Sequence, residues 1–267
     1  MISAKRDKRV FDLGESFLKS LTTKDGVPVT QEMLSKYFQD EKPKTLSEIY
    51  FRLISSAQNA NMKAGVIGGS IDGVENLRDV LCDFEPKAII QKYGDDSRRV
   101  FTDIKKQVKP RGKVNANGLW LRYCDTIISG AIFLEQFSSA EDFYKWANWF
   151  YKDERARPAL PLLLKEEING FGFALSCDFL KEIGFLEYGK PDVWLRKIFV
   201  SLELCSPEVT DNELLKAIIR VAQSSGVTPY KVDKVFWLIG SGKFYLDKKN
   251  TRQNADRFIK FVTASDS

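Results

Sequence analysis

Hydrophobic residues recur at intervals of three and four along most of the chain, which is the period of an α-helix with one buried face. In the segment TLSEIYFRLISSAQ, Thr45 and Glu48 have the spacing of a capping box, and the apolar residues that follow share one face. The same spacing predicts the starts of two more helices, at Ser138 with Glu141 and at Thr210 with Glu213.

Helix start and stop signals also mark the C-terminal third of the chain. Thr228 and Pro229 have the N-cap and first-turn positions of PYKVDKVFWLIG, which is predicted to end at Gly240, and NADRFIKFV is predicted to form the last helix. An alternating strand pattern is almost absent, with VPVT near residue 27 as the weak exception. The sequence therefore predicts an all-α fold of about ten helices joined by short loops.

Composition restricts the chemistry that this chain can perform. Its 267 residues and 43% hydrophobic content are typical of a globular protein with a substantial core. The net charge of +5 is compatible with a polyanionic partner but does not require one. The sequence contains no histidine, which excludes Ser-His-Asp triads, Cys-His dyads, His-ligated zinc and histidine general bases.

The cysteines and the N-terminal segment indicate where the protein works. The four cysteines include no CxxC pair, so their spacing fits neither a zinc site nor an iron–sulfur cluster, and a chain of this length does not need a disulfide framework. The start MISAKRDKRVFDLGES carries charges where a signal peptide needs an apolar run. We therefore expect a soluble cytoplasmic protein, associated with the nucleoid if the source is prokaryotic, with no membrane association.

The segment LPLLLKEEINGFGFALSCDFLKEIGFLEYGKPDVWLRKIF carries the most specific pattern. It predicts a helix over 159–168, a tight turn at Gly170-Phe171-Gly172 and a second helix over 173–183. Such a turn presents backbone N–H groups at a helix N-terminus, where a phosphate can bind without a charged side chain. An ordinary αα-hairpin explains the turn equally well, and a helix N-cap explains the downstream Asp192.

Three motifs in order resemble the helix-hairpin-helix DNA glycosylase superfamily. INGFGFALSCDFL resembles the family's hairpin, KPDVWLRKI resembles the segment that carries its catalytic Asp, and LISSAQNAN resembles the helix end whose Gln or Asn fills the gap left by a flipped base. Together they cover roughly residues 45–200. The resemblance implies one two-lobed glycosylase domain over 1–267, with lobe A at about 45–185, including the helix-hairpin-helix 159–184, and lobe B at about 1–44 plus 186–267.

The resemblance also implies roles for individual residues. Asp192 is expected to be catalytic and to stabilise the oxocarbenium-like sugar, or to orient or deprotonate the attacking water, after the base has been flipped out of the duplex. Trp194 stands where many relatives have His and is expected in the base pocket or the core between the lobes. The expected DNA contacts come from Gly170, Phe171, Gly172, Ala174, Gln58, Asn59 (with Asn61 as an alternative) and Lys197.

Departures from the family pattern refine the expected activity. Asn169 replaces the usual Pro of the turn, and Ala174 stands where bifunctional members carry the lysine that forms a Schiff base. The resemblance therefore implies a monofunctional hydrolase without strong lyase activity. It implies no cofactor and no iron–sulfur cluster, because the four-cysteine loop is absent, and leaves open a monovalent cation at the hairpin. The expected partner is double-stranded DNA with a modified base, bound by a monomer.

Two clusters of cations could assist DNA binding, although either also suits a solvated helix face or loop. The first contains Lys105, Lys106, Lys109, Arg111 and Lys113, and the second Lys243, Lys248, Lys249, Arg252 and Arg257.

The substrate and two other classes of function stay open. The excised base is expected to be an oxidised or otherwise damaged purine, with a bulky phage-modified cytosine, as in antiviral defence, as the alternative. The aromatic residues of 120–123, 146–150 and Trp237 fit the core better than a pocket wall. A non-catalytic helix-hairpin-helix DNA-binding protein and a helical protein–protein adaptor are the alternatives to an enzyme.

Overall fold

Thirteen α-helices account for most of the residues that the computed structural model describes, which are 4–38, 42–60, 66–112 and 118–265. The all-α prediction is therefore confirmed, with more helices than expected. Contacts divide the chain into two compact units: a terminal unit of Met1–Asp40 with Gly184–Ser267, and a central unit of Glu41–Ile183. The sequence-based lobes, and their union in one glycosylase domain, stay a prediction.

The central unit contains seven of the helices. They are α3 (Leu46–Ala57), α4 (Pro86–Tyr93), α5 (Ser97–Gln107), α6 (Leu119–Glu135), α7 (Ala140–Tyr151), α8 (Ala159–Glu167) and α9 (Phe173–Glu182). The largely apolar α6 packs against α3, α4 and α5, and α9 packs against α3 and α8. Three short 3₁₀ turns, at Gly68–Ser70, Val74–Leu77 and Cys82–Phe84, connect α3 to α4.

The terminal unit combines both ends of the chain. It comprises α1 (Ala4–Lys19), α2 (Gln31–Lys36), α10 (Val193–Ser201), α11 (Asp211–Ser225), α12 (Pro229–Ser241), β1 (Lys243–Phe244), β2 (Lys249–Asn250) and α13 (Ala255–Ala264). Helix α12 is buried along most of its length and packs against α1, α10, α11 and α13. Its apolar side chains form the centre of one hydrophobic core, to which each surrounding helix contributes its buried face.

Most of the predicted helix starts are confirmed, and one is wrong by a residue. Both Thr45 and Thr210 accept a hydrogen bond from the backbone N–H three residues later, in complete capping boxes. Helix α7, however, is capped by Ser139, which accepts from the N–H of Asp142, rather than by Ser138. The Asp142 carboxylate accepts from the N–H of Ser138, so both serines are used, and these bonds lower the pKa of Asp142.

Three further expectations need correction. Helix α12 ends at Ser241 rather than at Gly240, because Gly242 is the residue that adopts the left-handed backbone, at φ +65°. The β1–β2 hairpin was missed, since its strands are only two residues long and show no alternation. VPVT contributes only an isolated bridge between Thr22 and Pro28.

The four cysteines are free. Among the described residues, no helix combines the length and apolar character needed to cross a membrane.

Candidate functional site

The turn between α8 and α9 has the glycine-bracketed form that the sequence predicts, but its two glycines have different roles. Gly170 adopts φ +77°, and a Cβ there would lie 2.7 Å from Cγ of Arg122 and 2.9 Å from Oγ1 of Thr126. Gly172 has an extended backbone at φ −70°, and a Cβ there would meet no atom within 4 Å. The fold therefore requires glycine at 170, whereas at 172 the lack of a side chain only leaves the surface open.

Two side-chain hydroxyl groups of α6 form hydrogen bonds to the backbone of this turn. The Thr126 hydroxyl donates to the carbonyl oxygen of Asn169 at 2.6 Å, and the N–H of Asn169 donates to Oγ of Ser129 at 3.0 Å. Asn169 is thus hydrogen-bonded at both its backbone groups, which fixes the turn without a proline at this position. Sequence reasoning missed both residues, although two hydroxyls three positions apart in the otherwise apolar stretch 126–134 were a usable signal.

The N-terminus of α9 presents backbone donors without acceptors. The N–H groups of Gly172, Phe173 and Ala174 find no acceptor in the described part of the chain, and no side chain caps the helix. Gly172 is exposed and Ala174 is half-buried. Orphaned N–H groups at the positive end of a ten-residue helix favour an anion such as a phosphate. This is the strongest local feature of the candidate site.

Phe171 does not face solvent as a DNA-contacting residue would. Its side chain is buried and packs edge-on against Phe179, with ring centroids 6.2 Å apart, and its N–H donates to the carbonyl oxygen of Ile168 at 3.1 Å. The Phe171 side chain therefore anchors the turn in the core and its N–H closes the turn, while a DNA contact by Phe171 stays a prediction.

The residues expected to fill the gap of a flipped base lie at the end of α3. Gln58 is half-buried and donates through Nε2 to the carbonyl oxygen of Ser55 at 2.9 Å, while its Oε1 lies against Gly68, where a Cβ would be only 1.8 Å away. Asn59 is half-buried and donates its backbone N–H to Ser56. In this conformation the Gln58 side chain is folded onto its own unit. Asn61 lies outside the described residues.

Asp192, in the terminal unit, is the N-cap of α10. Its Oδ1 accepts hydrogen bonds from the N–H groups of Trp194, at 2.8 Å, and Leu195, at 3.1 Å. The segment before it is also fixed, because the N–H of Lys190 donates to Oδ2 of the buried Asp233. The capping interpretation is therefore correct for Asp192. It is half-buried, and the α10 dipole stabilises a negative charge at this position.

The other predicted residues of α10 have partners within the terminal unit. Trp194 is half-buried and packs against the unit's core, directly over Gly240 of α12, where a Cβ would lie 2.6 Å from the Cβ of Trp194. Lys197 is exposed and donates to the carboxylate of Asp256 at 2.9 Å. An exposed ion pair of this kind contributes at most about 1 kcal/mol, so Lys197 can exchange Asp256 for a phosphate at low cost.

The two basic clusters have different environments. Lys105 and Lys106 belong to the last turn of α5 rather than to a loop, Lys109 and Arg111 follow it, and Lys113 lies outside the described residues. Lys109 and Arg111 line a polar cavity of about 350 Å³ with Asp72 and Asp79, and Arg111 forms an ion pair with Asp72. The second cluster surrounds the β1–β2 hairpin and continues into α13.

Two of the lysines near Ala174 in sequence lie beside carboxylates. Lys165 is exposed and lies 3.7 Å from Glu166. Lys181 is buried on α9, with Nζ 3.1 Å from Oδ1 of Asp178. It follows Ala174 by seven residues and shares its helix face, about 10 Å further along the axis.

No group of three or more Cys, Asp or Glu side chains in the described residues could hold a metal ion. For a monovalent cation at the hairpin, the carbonyl oxygens of Ile168 and Asn169 already accept hydrogen bonds within the protein. Comparison of the chain with known protein families, curated proteins and solved structures finds no match.

Proposed function

We propose that this protein is a monofunctional DNA glycosylase that binds a duplex, flips a modified base and hydrolyses its N-glycosidic bond. The observation that carries the proposal is the N-terminus of α9, where Gly172, Phe173 and Ala174 direct unsatisfied N–H groups from a rigid turn. Such donors bind a DNA phosphate independently of base sequence, as a strand-anchoring hairpin must. The motif resemblance supplies the reaction class, since an anion site alone would fit many functions.

Asp192 is the proposed catalytic residue. Breaking the bond between C1′ and the base leaves the electron pair on the base, which takes up a proton, and positive charge develops on the sugar. A carboxylate stabilises that charge electrostatically and can accept the proton of the water whose oxygen bonds to C1′. The bonds from the N–H groups of Trp194 and Leu195 hold the Asp192 carboxylate in one orientation, which favours such a role.

The proposed product is an abasic site with both strands intact. Ala174 offers no amine at the position where bifunctional relatives form an imine with the sugar, so water is the proposed nucleophile. A damaged purine is the proposed substrate, and a bulky phage-modified cytosine is the alternative.

Release of free base, detected by mass spectrometry, tests the proposal. The protein is incubated with duplexes that contain oxidised, alkylated or deaminated bases and with genomic DNA of phages that modify their cytosines. The key variant is Asp192→Asn, and its matched control is Asp96→Asn, because Asp96 also caps a helix by accepting from the N–H of Arg99. Asn caps as well as Asp, so both variants should fold normally.

We expect Asp192→Asn to lose at least 1000-fold in base release, as an amide cannot supply the negative charge, while its DNA affinity stays within about threefold. Asp96→Asn should keep full activity. Near wild-type turnover by Asp192→Asn on a verified substrate would remove Asp192 from the mechanism.

A second candidate function, non-catalytic DNA binding, is favoured by one observation: the Asp192 carboxylate is already used as a helix cap. This function predicts salt-dependent duplex binding by the wild-type protein without base release from any substrate. The third function, a protein–protein adaptor, predicts no salt-dependent DNA affinity.

A further inference from the structure

The turn of the β1–β2 hairpin, residues 243–250, is anchored by contacts with Lys36 and Tyr37. The phenolic oxygen of the buried Tyr37 accepts a hydrogen bond from the N–H of Leu246 at 2.9 Å. The ring of Tyr245 packs edge-on against Tyr37, with centroids 5.1 Å apart, and Lys36 donates to Asp247 at 2.6 Å. Residues from α2 and the segment after it therefore fix the turn of the 243–250 hairpin from one side.

This fixed turn exposes two large apolar side chains. Tyr245 is 49% exposed and Leu246 is 51% exposed, and they are adjacent in the 3₁₀ turn between the strands. The Tyr245 ring is supported by Tyr37 and by Trp237, whose centroid is 5.8 Å away. Tyr245 and Leu246 are thus adjacent exposed apolar side chains on an anchored turn, which suits a surface that contacts another molecule.

The charges around the 243–250 hairpin favour a polyanionic partner. Lys243, Lys248 and Arg252 are exposed and form no ion pair with any residue that the structure describes. The nearby carboxylates are neutralised by other lysines. Asp247 pairs with Lys36, Asp25 with Lys249, and Asp256 with Lys197. Three cations without a carboxylate partner among the described residues thus lie within six positions of Leu246 in the sequence, in a chain whose net charge is also positive.

The geometry points to the 243–250 hairpin as a second DNA-binding element, in which Lys243, Lys248 and Arg252 bind backbone phosphates and Leu246, supported by Tyr245, enters the minor groove as a wedge. This inference rests on the proposed duplex binding but not on catalysis. An apolar wedge flanked by cations is how many proteins kink or unstack a duplex, and local unstacking assists the extrusion of a base.

The charge part of the inference is tested by salt-dependent binding of the full-length protein to a 25-base-pair duplex, measured by fluorescence anisotropy. The test variant carries Lys243→Gln, Lys248→Gln and Arg252→Gln. The control carries Lys5→Gln, Lys19→Gln and Lys216→Gln, which removes the same net charge from exposed positions of the same unit. We expect the test variant to lose at least tenfold in affinity and to lower the salt slope by about 0.9 per phosphate contact, and the control to stay within about threefold.

The wedge part is tested with Leu246→Ser, and Leu162→Ser, an exposed leucine of the central unit, is its control. Increased fluorescence of 2-aminopurine in the duplex on binding reports unstacking. We expect Leu246→Ser to lose most of this increase, with the salt slope unchanged, and Leu162→Ser to keep it.

The outcomes separate this inference from the proposed function. If the wild-type protein binds the duplex and both hairpin variants behave like their controls, the hairpin inference falls while the glycosylase proposal stands. If the hairpin variants fail as expected but no base is ever released, the hairpin stands and the enzyme proposal falls. If the wild-type protein binds no duplex, or if polyglutamate of equal charge competes as well as DNA, the hairpin inference is overturned.

Discussion

The contrast between the two glycines of the α8–α9 turn gives the sharpest prediction. Gly170→Ala places a Cβ on a backbone at φ +77°, which costs about 1–2 kcal/mol. The same Cβ would lie 2.7 Å from Cγ and 3.1 Å from the carbonyl oxygen of Arg122. Overpacking against such neighbours costs a further 1–3 kcal/mol or so. We therefore expect Gly170→Ala to lower the free energy of unfolding by about 2–5 kcal/mol, in urea titrations followed by far-UV circular dichroism.

Gly172→Ala should behave in the opposite way. Its φ of −70° suits any residue and its Cβ meets no atom within 4 Å, so the folded state accepts alanine without strain. Because alanine reduces the entropy of the unfolded chain, the free energy of unfolding should stay unchanged or rise by about 0.4–1 kcal/mol. The new methyl group, however, stands beside the donor N–H groups, and we expect duplex affinity to fall at least tenfold, which is about 1.4 kcal/mol.

Gly26→Ala is the control for backbone strain alone. Gly26 adopts φ +83° with no atom within 4 Å of a Cβ, so alanine there should cost only about 1–2 kcal/mol and leave duplex affinity unchanged. Equal unfolding free energies for Gly170→Ala and Gly26→Ala would refute the close contact with Arg122. Wild-type affinity in a folded Gly172→Ala variant would refute the turn as the phosphate anchor.

Two other predictions follow from single residues. Borohydride added during turnover should trap no covalent protein–DNA complex, because Ala174 cannot form an imine and Lys181 is buried beside Asp178. Strand breaks should appear only after alkali treatment. A robust borohydride-trapped adduct would contradict the monofunctional proposal. Burial raises the pKa of Tyr37 to about 12, so the stability contributed by its neutral phenol is complete below about pH 10 and is lost as the pH rises through 12. Between pH 10 and 12 the unfolding free energy of the Tyr37→Phe variant should therefore fall less steeply with pH than that of the wild-type protein. The difference between the two slopes should be up to about 1.4 kcal/mol per pH unit, and equal slopes would contradict this origin of the pKa shift.

The helices and their caps were predictable because the interactions that define them are local. Thr45 and Glu48 close a capping box within four residues, and the same holds for Thr210 and Glu213. The turn at Gly170 was predictable for the same reason, as a glycine that ends one helix and precedes another carries its own backbone preference. Where two local solutions compete, as at Ser138 and Ser139, the sequence indicates a helix start only to within a residue.

Only the tertiary structure decided which of these residues are free to act. Gly170 and Gly172 are equivalent in the sequence pattern, and Arg122 and Thr126, more than forty positions earlier, make one of them structural and leave the other open. Similarly, the cations of the second basic cluster are equivalent in the sequence, and only the structure shows that Lys249 pairs with Asp25. Packing and ion pairing depend on distances between side chains that are remote in sequence, so burial, charge compensation and access follow from the fold and not from the order of residues.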